Sequence, residues 1–464
     1  MAHATWSHGY QTSQEYPQPD ADFPYTAETY DYDQDDSEKA HFTVEQEQPD
    51  DGHGAPKSKI GPYQAAWNVT NAIQGMFIVS LPYAVLHGGW WSVVALLGVA
   101  YICYYTGLLL VRCLYDDQGR KVHFSYRAVA EQVWGARVGA RLVLTAQLIE
   151  LLMTCILYVV LAGDLLEASF PDSDMEKAGW MMISAALLVP CAFLTDLKAV
   201  STLSFWNTVS HIAINAIVLL FCLSRIGSWA WSSVRFGLNI HIFPTVLGIV
   251  VFSYTSHIFL PSLEGSLIDR ATFQPMLKWS HIAAAVFKAL FGLIGFLTFA
   301  QDTQEEISNN LPSQQFKVVL NLILVVKALL SYPLPYYATA QIIEQNLFHG
   351  QSGGTFPSAY SADGSLREWA VGVRVCLVLF TLFMALCIPH FALLMGLVGN
   401  ITGTMLSFVW PAYFYLTIKG HLITQRERQA NRFIIGLGVL FGIIGIYYSS
   451  QQLHRAITAV NEYQ

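Results

Sequence analysis

Residues 74–85 read QGMFIVSLPYAV and lie in the middle of an apolar run from Trp67 to Leu86. A helix needs about 20 apolar residues to cross the hydrocarbon core of a bilayer, so this run is long enough. Yet the stretch carries Gln, Gly, Ser and Pro near its centre, where lipid offers no water to bond backbone or side chains. The stretch therefore predicts a membrane helix that is interrupted at mid-membrane.

The composition indicates an all-α polytopic membrane protein. Of the 464 residues, 53% are hydrophobic and 12% are charged, whereas soluble domains carry about 25% charged residues. The net charge of -8 arises in residues 1–60, which hold 13 acidic and 3 basic residues. We expect residues 1–62 to form a disordered acidic cytosolic tail, because they lack the apolar content for a core. Residues 63–464 are expected to form the transmembrane domain.

Hydropathy predicts about eleven membrane helices in this domain, here called spans 1 to 11. Their predicted limits are 66–87, 91–114, 141–167, 179–195, 205–223, 241–262, 276–300, 316–343, 371–389, 391–417 and 433–452. Span 4 is short, and spans 9 and 10 nearly touch at Pro389.

The placement of Lys and Arg predicts the orientation. With the tail in the cytosol, 18 of the 25 basic residues lie in the cytosolic tail, loops and span ends, and two lie inside spans. The five on the opposite side are Lys177, Arg225, Arg235, Lys317 and Arg455. This asymmetry follows the positive-inside rule and predicts a cytosolic N-terminus, and an odd number of spans then puts the C-terminus on the opposite side, the lumen if the protein lies in a vesicle.

Spans 1 and 6 share an unusual pattern. Span 6 contains VFSYTSHIFLPSLEG, with five consecutive polar residues from Ser253 to His257 followed by Leu260-Pro261. Span 1 likewise places Leu81-Pro82 after a polar midpoint. Two interrupted spans, five helices apart, predict an inverted five-plus-five repeat whose binding site lies at the breaks.

The chemistry of such breaks suits a zwitterion. Pro82 and Pro261 fit the first turn of a restarted half-helix, whose free N–H groups and partial positive charge receive a carboxylate. Carbonyls freed at the end of the other half can receive an ammonium. The alternative is that both prolines merely kink two packed helices. The residues predicted to bind substrate are Asn71, Gln74, Gly75, Met76, Phe77, Ser80, Tyr158, Ser253, Tyr254 and Thr255.

Titratable side chains inside the spans are candidates for coupling transport to an ion. Glu150 lies about 12 Å deep in span 3 at 1.5 Å per residue, where an unpaired carboxylate is costly, so we expect it to face the bundle and bind a proton or cation. His257 is of the residue type that titrates near pH 6.5, which suits an acidic compartment. Lys327 and Lys288 are placed to pair with Glu150, contact a substrate carboxylate or hold an anion such as chloride. The alternative for all four is a structural role with satisfied hydrogen bonds.

Several motifs resemble the amino acid/auxin permease family. The segment FALLMGLVGNITGTMLSFVWPAYFYL, residues 391–416, is similar to the helix-ten region of that family. A narrower resemblance, to members that load vesicles, is carried by AAWNVTNAIQGMF, LPYAVLHGGW, CYYTGLLLVRCLYDD, AQLIELLMTCILYVVLAGDLL and SYTSHIFLPSLEG. Phe77 departs from the family's frequent G-x-G at the first break, and Ser80 stands where we expect glycine.

The resemblance implies a ten-helix inverted-repeat core plus an eleventh helix, and secondary active transport rather than enzyme activity. The expected substrates are GABA, glycine or a related small amino acid, carried across the lipid bilayer into synaptic vesicles. The expected drive is the proton gradient of a vesicular proton ATPase, used by proton exchange or by co-entry of an anion such as chloride. No cofactor and no nucleic acid partner are implied.

Other functions compete with this interpretation. One is a proton-coupled neutral amino acid symporter of the plasma or lysosomal membrane. Another is a non-transporting amino acid sensor that signals through the acidic tail. A membrane enzyme is disfavoured, because no motif places paired His, Asp and Glu residues or a nucleophile at a membrane face.

Overall fold

The computed structural model describes Ile73 and residues 75–193, 198–347 and 366–462, which fold almost entirely as helices. The predicted tail, together with the predicted site residues Asn71 and Gln74, lies outside the described residues. Within the described ranges, seven helices are long and apolar enough to cross a membrane, and four shorter apolar helices accompany them.

The spans follow the order that hydropathy predicts, and a short helix, Tyr126–Trp134, lies between spans 2 and 3. Their bounds in the structure are Met76–Ser80 and Leu81–Gly88 for span 1, Trp90–Arg112 for span 2, Ala136–Ser169 for span 3, Lys177–Leu188 and Val189–Phe193 for span 4, Lys198–Ser224 for span 5, Phe243–Phe252 and Leu260–Ser266 for span 6, Phe273–Phe299 for span 7, Gln314–Ser331 and Pro333–Leu347 for span 8, Glu368–Cys387 for span 9, Phe391–Ile418 for span 10, and Gln425–Glu462 for span 11.

Spans 1 and 6 are broken, as the sequence predicts. Span 1 passes from Gly75 through a 3₁₀ turn before its second half begins at Leu81, and span 6 leaves the helix at Ser253 and resumes at Leu260. Pro82 and Pro261 each lie in the first turn of the restarted half, where a residue without an N–H loses no helical hydrogen bond. Pro261 therefore begins a half-helix after a non-helical stretch, and Pro82 lies where the 3₁₀ turn of span 1 becomes an α-helix.

Packing follows the inverted repeat. Span 2 packs against its repeat-related span 7, and span 3 against span 8. The first half of span 6 lies directly on span 10, backbone to backbone: a Cβ added at Gly248 would be 2.0 Å from the Gly396 carbonyl oxygen, and one added at Gly399 would be 1.9 Å from the Gly248 oxygen. The middle of span 10 widens into π-helical turns at Gly399–Gly403 and Met405–Val409. Such turns occur often at functional sites.

The second half of span 6 is held by a buried ion pair. Lys121, in the connection between spans 2 and 3, lies 2.6 Å from the carboxylate of Glu264, and both side chains are buried. The Tyr115 hydroxyl also donates to Glu264. Because a charge inside a protein needs a partner, these contacts fix the half-helix to that connection and so position the break.

Candidate functional site

The break in span 6 removes helical hydrogen bonds from backbone groups between its two half-helices. The hydroxyl of Ser253 donates to the carbonyl of Val250 at 2.7 Å, and that of Thr255 donates to Phe252 at 2.9 Å. These bonds satisfy some carbonyls at the end of the first half, where the helix can no longer do so. The polar run predicted as a binding segment thus replaces part of the helical hydrogen bonding.

Unpaired polar atoms gather at the two breaks. Among the described residues, no partner reaches Ser80 Oγ of span 1, or Tyr254 Oη, Ser256 Oγ and His257 Nδ1 of span 6. All four side chains are at least 98% buried. A buried polar group without a partner costs about 1–3 kcal/mol, so such a cluster favours a polar ligand at the breaks.

Glu150 connects span 3 to this region. Its side chain is buried and lies against the hydroxyls of Thr255 in the span 6 break and Thr402 in the first π turn of span 10. Its Oε2 has no partner among the described residues. The carboxyl therefore lies where spans 3, 6 and 10 meet, next to a predicted substrate-binding residue.

Aromatic rings form one wall of the same region. Phe77 contacts Tyr158 of span 3 at a ring-centroid distance of 5.4 Å, Phe252 of span 6 at 5.1 Å and Phe391 of span 10 at 6.0 Å. Met76, beside it, is buried, while Gly75 is half-buried. Rings from four spans thus converge on the first break and limit the space available beside it.

The other predicted coupling residues lie apart from Glu150. His257 Nε2 is 3.0 Å from Thr106 Oγ1 of span 2. The Lys327 ammonium contacts Nδ1 of His211 in span 5, and both side chains are buried. No ion pair joins Lys327 or Lys288 to Glu150 in the part of the chain that the structure describes.

The sequence analysis did not predict two residues that contact the site, His211 beside Lys327 and Thr402 beside Glu150. His211 and Thr402 carried no signal beyond being polar residues in apolar spans. Lys288 was expected to pair with Glu150, contact a substrate carboxylate or hold an anion, but its ammonium donates to carbonyls at both breaks, those of Ile73 and Ser253.

Paired broken helices, with unpaired polar atoms and a buried carboxyl beside them, define an inverted-repeat membrane transporter. The fold is similar to that of a solved chain described as the inward-facing conformation of Mhp1, with a TM-score of 0.50, 13% identity, and coverage of 88% of this chain and 92% of that one. Residues 58–451 match the family described as "Transmembrane amino acid transporter protein". The chain belongs to that family.

Named relatives cover most of the chain. It is 56% identical over 424 residues to the vesicular GABA transporter of Caenorhabditis elegans. The aligned region covers 91% of this chain and 86% of that protein. It is 45% identical over 410 residues to the vesicular inhibitory amino acid transporter of Homo sapiens, with 87% and 78% covered.

Proposed function

We propose that this protein is a secondary active transporter that loads GABA and glycine into synaptic vesicles. The observation that carries the proposal is the 56% identity, over 91% of the chain, to a vesicular GABA transporter. The substrate enters from the cytosol and leaves into an acidic lumen. Protons leave in exchange, or an anion such as chloride enters with the substrate, and a vesicular proton ATPase maintains the gradient.

The candidate site suits a small zwitterion. The half-helices that begin at Leu81 and Leu260 carry a partial positive charge near the breaks, which favours the substrate carboxylate. Carbonyls at the ends of the first halves favour its ammonium. The Phe77 and Tyr158 rings limit the length of the carbon chain between them.

The proton gradient can supply the required free energy. Each tenfold gradient of a neutral solute costs about 1.4 kcal/mol, and one charge moving through about 100 mV supplies about 2.3 kcal/mol. One proton leaving per zwitterion entering therefore supports more than a tenfold accumulation. In this orientation the N-terminus is cytosolic and the C-terminus is luminal.

Uptake into liposomes tests the proposal. The full-length protein is reconstituted, labelled GABA and glycine are added outside, and the pH gradient and the voltage are clamped separately. We expect accumulation that requires an acidic or electrically positive interior. Accumulation that instead requires an acidic exterior would identify a symporter.

A second measurement separates transport from sensing. A variant lacking residues 1–60 should still accumulate substrate, because the proposed site lies wholly within the membrane domain. Substrate binding without flux in the full-length protein would identify a sensor and reject the transporter.

A further inference from the structure

Lys288 of span 7 joins the two breaks through one ammonium group. Its Nζ donates to the carbonyl oxygen of Ile73 in span 1 at 2.7 Å, and to the carbonyl oxygen of Ser253 in span 6. Ser253 directly follows the last residue of the first half of span 6, where the helix dipole is negative. A cation bound here therefore neutralises backbone charge from both broken helices.

Span 7 is held close to span 1 on the face that carries Lys288. Gly292 and Gly295 lie four and seven residues further along, which places them on the same helical face. A Cβ at Gly292 would be 3.4 Å from the Leu81 carbonyl oxygen, and one at Gly295 would be 2.6 Å from the Pro82 ring. This close packing positions the Lys288 ammonium at the breaks and keeps it there.

The groups that surround the Lys288 ammonium are neutral. Its ammonium lies 4.0 Å from the centre of the Tyr254 ring, and Cys103 of span 2 and His281 of span 7 are further titratable groups that interact with it. His257 of span 6 lies on the Cys103 side of span 2, bonded to Thr106. Within the described ranges, no carboxylate forms an ion pair with Lys288. The carbonyl oxygens of Ile73 and Ser253 are therefore the main groups that stabilise the positive charge of Lys288.

These carbonyls are the groups that a zwitterion's ammonium would use at the same breaks. We propose that the Lys288 ammonium and the substrate ammonium compete for the Ile73 and Ser253 carbonyls, so that substrate binding releases the proton of Lys288. This inference rests on the proposed function and deepens it, because competition for one cation position is itself a mechanism of proton exchange.

The proposed cycle balances in protons and charge. On the cytosolic side the substrate ammonium displaces Lys288, which releases its proton to the cytosol and stays neutral while the substrate crosses. On the luminal side the substrate leaves, and Lys288 takes a proton from the acidic lumen and binds the carbonyls again. The protonated carrier then returns. Each cycle moves one zwitterion inward and one proton outward.

Proton release on binding tests the competition directly. Purified full-length protein in weakly buffered detergent is mixed with GABA, and the pH change and the GABA affinity are measured at several pH values. We expect about one proton released per GABA bound, and an affinity that rises up to about tenfold per pH unit. Binding by the wild type without proton release would overturn the proposal.

Substitutions identify the group that releases the proton. Lys288→Met should bind GABA without proton release and with a pH-independent affinity. In liposomes it should keep GABA/GABA exchange while losing net proton-driven accumulation. Lys278→Met, which removes an exposed lysine of the same span, should behave as the wild type. Proton release retained in Lys288→Met would overturn the proposal.

A charged variant covers the case in which Lys288→Met does not fold. Lys288→Arg keeps a permanent cation, so it should fold, bind GABA at least tenfold more weakly and release no proton. Wild-type affinity in Lys288→Arg would contradict the competition. A wild-type protein that neither binds nor moves GABA or glycine would reject the proposed function instead, which keeps the two failures distinct.

Discussion

The Phe77 ring of span 1 stacks on the Tyr158 ring of span 3, with centroids 5.4 Å apart and planes inclined by 25°. One ring belongs to a broken helix and the other to a continuous one, so the stack joins the first break to span 3. Phe252 and Phe391 complete the contacts of Phe77. The stack therefore borders the first break, where we propose that the substrate binds.

Shortening Phe77 should change substrate preference. In Phe77→Leu, the loss of an aromatic contact, worth about 0.5–1.5 kcal/mol beyond its buried area, widens the space beside the first break. We expect weaker GABA uptake and stronger inhibition of that uptake by longer amino acids, measured by competition in liposomes. Phe433→Leu, at a 69% exposed Phe of span 11, is the control. An unchanged order of competitors would contradict this role for Phe77.

Removing the charge of Glu150 should weaken the response of transport to pH. Glu150→Gln keeps the shape of the side chain beside Thr255 and Thr402 but cannot gain or lose a proton. We expect the pH-dependent part of GABA uptake to fall while voltage-driven uptake is less affected, as measured with pH and voltage clamped separately. Glu368→Gln, at an exposed carboxylate of span 9, is the control. If the pH dependence of uptake is unchanged in Glu150→Gln, Glu150 does not carry the proton.

This prediction is separable from the one for Lys288. Proton release on substrate binding should persist in Glu150→Gln, because the carboxyl lies beside hydroxyl groups and the lysine lies at the backbone carbonyls. The two variants therefore distinguish a proton exchanged at the substrate position from one carried elsewhere in the bundle.

The breaks were predictable because their causes are local. A polar midpoint followed by Leu-Pro disfavours a continuous helix whatever surrounds it, and Pro82 and Pro261 lie where that chemistry requires. The inward position of Glu150 followed from depth and the cost of burying charge. The structure describes neither Asn71 nor Gln74, so their assignment to the substrate site stays a prediction.

Contacts between spans were not predictable from the sequence. Lys288 bonds Ile73 and Ser253, which are 215 and 35 positions away in the sequence. These bonds depend on how span 7 packs against spans 1 and 6. The partner of Lys327 is likewise a distant residue, His211, 116 positions away. A single sequence contains no local record of such distances.

Span ends were predicted poorly where helices leave the membrane. Span 11 was expected at 433–452 but runs from Gln425 to Glu462, because hydropathy detects only its apolar part. A local signal for its start was available. Thr424 and Glu427 form a capping box, in which the Thr424 N–H donates to the Glu427 carboxylate at 2.9 Å and the Glu427 N–H donates to Thr424 Oγ1 at 3.3 Å.

A methyl group at Gly248 should destabilise the protein. The added Cβ of Gly248→Ala would lie 2.0 Å from the Gly396 carbonyl oxygen, and overpacking of a close contact costs about 1–3 kcal/mol. We expect a lower melting temperature in detergent and reduced transport, since span 6 would be pushed away from span 10. In Gly372→Ala nothing lies within 4 Å of the new Cβ, so that variant should be as stable as the wild type or more so. Equal melting temperatures for Gly248→Ala and the wild type would contradict the backbone contact.

Glu306, in the connection between spans 7 and 8, should make stability depend on pH. Its side chain is 96% buried. Its Oε2 accepts a hydrogen bond from Asn309 at 3.3 Å, while Oε1 has no partner among the described residues. Burial, together with the nearby carboxylates of Asp164 and Glu305, raises the pKa of Glu306 well above its ordinary value of 4.5.

The sign of the effect follows from this raised pKa. Between about pH 4.5 and the higher folded pKa, the folded state binds more protons than the unfolded state, so this group lowers stability as pH rises. Glu306→Gln removes the ionisation, and we expect the variant to gain in melting temperature over the wild type from pH 5 to pH 7.5. Asp172→Asn, at an exposed carboxylate of another connection, is the control. A constant difference between Glu306→Gln and the wild type across this range would show that Glu306 is not protonated in the folded protein.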